Sequence, residues 1–131
     1  MTVYVRPSWQ ISVRYLFPKS RRIVHSSQFT VILRRGVCVA DGVLVLFAVK
    51  SEPGSASRLG VTIPKRTGNA VVRNRWKRLI RESFRTQQDR VPGGMNLVVR
   101  PKKDAPADWA KIQKSIPYLT RKAARRLESE K

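Results

Sequence analysis

The stretch Gly68–Arg85 reads GNAVVRNRWKRLIRESFR, and it contains six arginines or lysines but one acid, Glu82. At about 100° per residue it predicts a two-sided helix beginning at Thr67, Gly68 or Asn69 and ending near Gln88. One side carries Val72, Trp76, Leu79, Ile80 and Ser83, with Phe84 at its edge. The other side carries Asn74, Lys77, Arg78, Arg81 and Arg85, and Arg73 and Arg75 lie at the borders. We therefore expect a helix with an apolar inner face and a basic outer face.

The whole chain, like this helix, is strongly basic. There are 28 lysines and arginines against 8 acids in 131 residues, a formal net charge of +20. A length of this order is typical of one small domain. Like charges on neighbouring turns of a helix repel each other, and such an imbalance is usually relieved by a polyanion. Arginine forks onto phosphate oxygens and stacks on bases, so structured RNA is the favoured partner.

The remaining segments predict a mixed α+β domain. Residues 1–20 are interpreted as an N-terminal extension compatible with partial disorder, and residues 21–131 as the RNA-binding domain. A helix is expected from Ser26 or Ser27, as its cap, to Gly36. Strands follow over residues 37–40, 43–49, 59–63 and 95–100, and Asp41-Gly42 marks a hairpin. A last helix has the apolar stripe Trp109, Ile112, Ile116, Leu119, Ala123 and Leu127, which Pro117 could kink. The predicted order is α-β-β-β-α-β-α.

The chain has few side chains that could act as catalytic groups. His25 is the only histidine, and the acids are dispersed apart from Glu128 and Glu130. We therefore predict no catalytic residue and no metal site built from side chains. Cys38 is the only cysteine and is interpreted as a small apolar residue of the core, and a single cysteine fits a reducing cytoplasm. No apolar run is long enough to span a bilayer, so no membrane partner is expected. The basic start is also compatible with a transit peptide.

One strand leaves two interpretations open. Alternation over residues 43–49 places Val43, Val45, Phe47 and Val49 on one face and Leu44, Leu46 and Ala48 on the other. One face packs against helices. Phe47 is then either a core residue or part of an open platform for single-stranded bases.

The stretch LGVTIPKRTGNAVVRNRWKRLIRESFR resembles the bacterial ribonuclease P protein family. The positions that match its signature are Arg58, Gly60, Lys65, Gly68, Asn69, Ala70, Val71, Arg73, Asn74, Arg75, Lys77, Arg78 and Arg81. The resemblance extends from about Arg22 to Leu127. It implies an α-β sandwich with a left-handed β-α-β crossover. It also implies a protein subunit that joins a catalytic RNA to remove the 5′ leader of precursor tRNA, where the RNA carries the Mg²⁺ ions and the chemistry. No obligate protein partner is expected.

The resemblance implies two sites. The face that meets the catalytic RNA comprises Lys65, Arg66, Asn69, Arg73, Asn74, Arg75, Lys77, Arg78 and Arg81. The cleft for the precursor tRNA leader comprises Phe29, Leu33, Val45, Phe47 and Thr62, which favours the platform interpretation of Phe47. The sequence departs from the family at Pro64, which often is serine, and at Leu33, which replaces an aromatic residue.

Three other classes of protein fit part of the pattern. A ribosomal protein would share the charge and would leave tRNA processing unchanged. A DNA-binding module could place the RNRWKR segment in a major groove and would bind duplex DNA. An independent protein nuclease would need acid-base groups that the sequence does not supply.

Overall fold

The computed structural model describes residues 22–23 and 25–129. Its helices are α1 (Ser26–Arg35), α2 (Ala70–Thr86) and α3 (Trp109–Ser129). Its strands are β1 (Val37–Ala40), β2 (Leu44–Lys50), β3 (Arg58–Val61) and β4 (Met95–Pro101). This is the predicted order of elements, and short 3₁₀ turns lie at Lys65–Thr67 and Gln88–Arg90. The predicted extension over residues 1–20 lies outside the described residues.

The four strands form one mixed sheet in the order β1-β2-β4-β3. The pairs β1–β2 and β2–β4 are antiparallel, whereas β3 and β4 run parallel. A parallel pair needs a crossover connection, and α2 supplies it, giving the β-α-β unit that the resemblance implies. The left hand of this crossover stays a prediction.

Helices cover the two faces of the sheet unequally. Leu44, Leu46 and Ala48 of β2 point into the main core, together with buried side chains of α2 and α3. The opposite face packs a smaller cluster built on Ile23, Ile32 and Val98, over which α1 lies. The alternation predicted for β2 is therefore confirmed over residues 44–49, whereas Val43 lies before the strand and is buried in the main core. Cys38 of β1, expected in the core, is exposed. Among the described residues, α1 is the one helix over the second face.

The first hairpin is held to the last helix by one carboxylate. Asp41 Oδ1 accepts hydrogen bonds from the backbone N–H groups of Val43 and Leu44, at 2.8 and 2.9 Å. Its other oxygen accepts from the Ser115 hydroxyl at 2.5 Å. The turn between β1 and β2 thus satisfies its own backbone and is fixed against α3, which packs on both strands.

The first turns of the two long helices differ from the predicted pattern. Val72 and Trp109 belong to the predicted apolar stripes, yet both are exposed. Each lies in the first turn, before the first buried residue of its helix, Trp76 in α2 and Ile112 in α3. The rest of the apolar side predicted for α3 is buried, and Pro117 lies inside one continuous helix.

Three other details of the helices also differ from expectation. Phe84, predicted at the margin of the core, is fully buried because α3 packs beside α2. The helix ends at Thr86, just before Gln87, whose side chain donates to the Gln113 carbonyl at 2.9 Å. His25 occupies the N-cap position of α1 without a side-chain hydrogen bond, so the serine cap was wrong.

Candidate RNA interface

The start of α2 is fixed by two residues of the GNAVVRNR motif. Asn69 Oδ1 accepts a hydrogen bond from the Val72 backbone N–H at 3.0 Å, which satisfies a free donor of the first turn. Gly68 has φ of 154°, and a Cβ there would come within 2.9 Å of the Val72 side chain. The predicted RNA contact Asn69 is exposed, but its oxygen is already used as this cap.

The cations of α2 are presented on one side because the other side is anchored. Trp76 and Ile80 are buried in the main core. The predicted RNA-binding residues Lys65, Arg66, Asn69, Asn74, Arg75, Arg78 and Arg81 are exposed, and Arg73 and Lys77 are half-buried. The structure thus brings the whole predicted set to one helix and the 3₁₀ turn before it.

An open groove of about 390 Å³ follows this basic side, near the β3 edge of the sheet. It is lined by Arg22, Asn74, Lys77, Arg78, Arg81, Glu82 and Arg85. Arg22 reaches this place because its backbone bridges to Leu59, and Arg58 donates to its carbonyl at 3.1 Å. Five cations around one groove favour a phosphate ligand.

The charged side chains of this groove have different electrostatic environments. Burial, and next the positive charge of Arg22, lower the pKa of Arg81. Glu82 pairs with Arg85, whose hydrogen bond holds the pKa of the carboxyl below its usual value, although burial acts in the opposite direction. The same hydrogen bond raises the pKa of Arg85. The one acid of the groove is therefore engaged by Arg85, while Arg81 faces another cation.

The second predicted site lies on the opposite face of the sheet. In the strand register, Phe47 is opposite Val98, and Val98 is opposite Gly60. Val45 is opposite Arg100 one pleat further along β2. Thr62 follows β3 and donates its backbone N–H to the Val99 carbonyl at 3.1 Å. Val45, Phe47 and Thr62 are all half-buried, as expected of a face that α1 covers only in part.

The two α1 residues of the predicted leader cleft have different environments. The Phe29 ring lies directly on Gly60, where an added Cβ would come within 2.6 Å of its Cζ atom. Phe29 therefore fastens α1 to β3, and this contact explains why glycine stands at that position of the motif. Leu33 is 38% exposed at the rim of the helix. Phe47 packs in part on the cluster under α1 and in part faces solvent, so it is intermediate between core and platform.

Arg100 is a candidate site residue that the sequence reasoning missed. Its guanidinium carbon lies 5.2 Å from the centroid of the Phe47 ring, a cation–π distance. Alternation along β4 placed Asn96, Val98 and Arg100 on one face, so the signal was present in the strand pattern. We name Val45, Phe47, Arg100 and Thr62 the open sheet face. It combines an aromatic ring with a cation, the pair of groups that suits a nucleotide.

Other kinds of site find little support in the described part of the chain. Among residues 22–23 and 25–129, no three His, Cys, Asp or Glu side chains come together as a metal site would require. No helix there has the length and apolar content to cross a bilayer. The prediction that the protein binds no metal stays a prediction. What the arrangement does offer is a basic helix side and an open sheet face on opposite sides of one sheet.

Comparison with known proteins decides the family. The model of the family described as Ribonuclease P matches residues 17–124. The chain belongs to this family. It is 37% identical over 107 residues to the ribonuclease P protein component of Brevibacillus brevis, which covers 80% of this chain and 84% of that protein. It is 35% identical over 118 residues to that of Desulfovibrio desulfuricans, covering 87% and 91%.

Solved structures of the Ribonuclease P family share the fold. The RNase P protein of Staphylococcus aureus superposes with a TM-score of 0.65 at 29% identity, covering 80% of this chain and 95% of that one. The RNase P protein of Thermotoga maritima gives 0.59 at 26% identity, covering 81% and 93%. The α+β sandwich predicted for the chain is therefore confirmed.

Proposed function

We propose that the chain is the protein subunit of ribonuclease P and acts in the removal of the 5′ leader from precursor tRNA. One surface binds the catalytic RNA and the other binds the leader. The observation that carries this proposal is the cationic side of α2, which crowds arginines onto one face with a single acid among them. Membership of the family supplies the identity of the RNA.

The α2 surface is suited to a folded RNA. It presents fixed charges on a helix whose start is capped and whose inner side is buried, so the cations are held at constant spacing. Every phosphate that it neutralises releases counterions, which makes the affinity steeply dependent on salt. Lys65, Arg66, Asn69, Arg73, Asn74, Arg75, Lys77, Arg78 and Arg81 are the proposed contacts.

The open sheet face is suited to a single strand. The Phe47 ring and the apolar Val45 offer area for a base, and Arg100 beside them offers charge for a phosphate. Phe29 of α1 packs against the same apolar cluster as Phe47, and Leu33 lies one turn further along that helix. A single strand exposes its bases, whereas the acceptor stem of a mature tRNA does not, so this face distinguishes precursor from product.

The chemistry belongs to the RNA partner in this proposal. Mg²⁺ bound by the RNA would activate water for phosphodiester hydrolysis, and the residues of this chain bind and orient the two RNAs. No obligate protein partner is needed. The cytoplasm is the expected place of action, because the RNA and the precursor tRNA are found there.

Reconstitution tests the proposal. The purified protein is incubated with precursor tRNA at low magnesium, with and without a bacterial ribonuclease P RNA that is active alone at high magnesium. We expect leader removal only when both components are present. Cleavage by the protein alone would show a nuclease within the chain. Absence of cleavage in both tubes would contradict the proposed role in leader removal.

A further inference from the structure

The last helix carries a second basic face that the proposed RNA contacts leave out. Those contacts contain seven of the 28 lysines and arginines. At 100° per residue, one side of α3 gathers Lys111, Lys114, Tyr118, Arg121, Lys122 and Arg125, which we name the α3 stripe. The opposite side of the same helix packs into the core through Ile112, Ile116 and Leu119. The stripe is therefore held in place by the fold.

Most of the side chains of the stripe are exposed. Lys111, Lys114, Arg121 and Arg125 are exposed and Lys122 is half-buried. Within the described residues, Glu82 and Arg85 form the salt bridge, and no cation of the stripe is joined to an acid. Like charges three and four residues apart on a helix destabilise it by a few tenths of a kcal/mol per pair. The stripe repeats this cost over four turns, which favours an anionic partner.

An aromatic ring lies in the middle of these charges. Tyr118 is 51% exposed, and the Lys122 ammonium lies 5.8 Å from the centroid of its ring. An exposed ring flanked by cations is the combination that single-stranded RNA uses, because a base stacks on the ring while neighbouring cations reach the phosphates. A basic helix face that served only to keep the protein soluble would not need an exposed aromatic residue.

The stripe is separate from the α2 surface. The groove of α2 lies at the β3 edge, where Arg22 joins it. The helix α3 packs beside α2 and on β1 and β2, toward the other end of the sheet. Helices that pack side by side have axes about 8–10 Å apart, so one folded RNA is large enough to reach both basic faces.

We propose that the α3 stripe binds an unpaired segment of the catalytic RNA, with one base stacked on Tyr118. This inference rests on the proposed function for the identity of the RNA. A membrane is the less favoured partner, because interfacial helices insert an apolar face and the apolar face of α3 is buried in the core.

Two triple variants with the same change of charge provide the test. One removes charge from the stripe (Lys114→Gln, Arg121→Gln and Arg125→Gln). The control removes it from exposed residues elsewhere (Lys50→Gln, Arg90→Gln and Lys103→Gln). Affinity for a bacterial ribonuclease P RNA is measured over a range of salt concentrations. We expect the stripe variant to bind at least about tenfold more weakly than the control, with the salt slope reduced by about 0.7 for each lost contact.

A second pair of variants tests the stacking step. Tyr118→Phe keeps the ring, and Tyr118→Leu removes it at similar volume. We expect Tyr118→Phe to bind like the wild type and Tyr118→Leu to bind roughly fivefold or more weakly, as a lost base stack predicts. Circular dichroism of each variant checks that the helix is retained.

The outcomes separate this inference from the proposed function. Wild-type protein that fails to bind the RNA would overturn both. If the wild type binds the RNA and the stripe and control variants lose affinity equally, the inference about the stripe alone is overturned. If the stripe variant loses binding to vesicles containing phosphatidylglycerol while its RNA affinity is unchanged, the stripe belongs to a membrane contact and the proposal is contradicted.

Discussion

The basic surface of α2 and the open sheet face differ in how their residues are brought together. The α2 surface is built from one continuous segment, so its charges are neighbours in sequence as well as in space. The open sheet face is assembled from β2, β4 and the end of β3, with α1 at its border. One surface depends on helix geometry, and the other depends on tertiary packing. Variants should therefore affect the two surfaces by different physical routes.

Removing charge from α2 should have the largest effect. We expect Arg73→Gln, Arg75→Gln and Arg78→Gln together to weaken binding to the catalytic RNA at least about a hundredfold at physiological salt. About three phosphate contacts would be lost, so the salt slope should fall by roughly two to three units. Filter binding across a salt series measures both quantities. An unchanged salt slope would show that these arginines do not contact RNA phosphates.

Adding one methyl group under α1 should disturb the second surface without touching charge. Gly60→Ala would drive a Cβ into the Phe29 ring, and overpacking of this kind typically costs about 1–3 kcal/mol. We expect a lower free energy of unfolding and weaker binding of precursor tRNA.

The matched control for this change is another glycine. Gly42→Ala places its Cβ in open space, so the unfolding free energy should stay within about 0.5 kcal/mol of wild type. Denaturant titration measures both variants. Equal stability of the two variants would contradict the contact between Phe29 and Gly60.

Replacing the cation of the open sheet face should have a smaller and more selective effect. We expect Arg100→Gln to weaken holoenzyme binding to precursor tRNA by a few-fold and to lower its salt slope by about 0.7. Binding of mature tRNA should not change. The exposed Arg90→Gln is the control for loss of one charge. Equal effects on precursor and mature tRNA would place Arg100 outside the leader contact.

The smallest effect is expected at the acid of the α2 groove. Glu82→Gln removes a pair that is partly exposed to solvent, so the loss of stability should be under about 1 kcal/mol. RNA affinity should rise by up to about twofold, because a negative charge leaves the groove. An unchanged or lower affinity would contradict a phosphate in this groove.

The pH dependence of the same pair follows from the lowered pKa of Glu82. Because the pKa is lower in the folded chain, the contribution of the pair is present above the usual carboxyl range and is lost as pH falls through the lowered value. Thermal unfolding of the wild type and of Glu82→Gln should therefore differ equally at pH 6 and pH 8. A difference that changes between these two values would contradict the assignment.

How much the sequence could predict varies between the same two regions. The cations of α2 follow from the helical period alone, and the cap at Asn69 was among the predicted starts. The apolar stripes were wrong at Val72 and Trp109, because periodicity does not say where along a helix the neighbouring element begins. The full burial of Phe84 depends on α3, which is distant in sequence.

The open sheet face was harder to predict for a similar reason. Alternation separated the two faces of β2, but it could not pair Phe47 with Arg100, because that contact depends on strand order and register. The packing of Phe29 on Gly60 likewise joins a helix to a strand that is third in the chain. The resemblance gave the residues of this site, and the structure shows what holds them.

The most direct test of the account replaces the ring at the centre of the open sheet face. Holoenzyme containing Phe47→Ala is compared with wild type for its affinity to a precursor tRNA and to the same tRNA without its leader. We predict a loss of about 1–3 kcal/mol in affinity for the precursor if a base stacks on this ring, with assembly and mature tRNA binding unchanged. An equal loss for both tRNAs would contradict the assignment of this face to the leader.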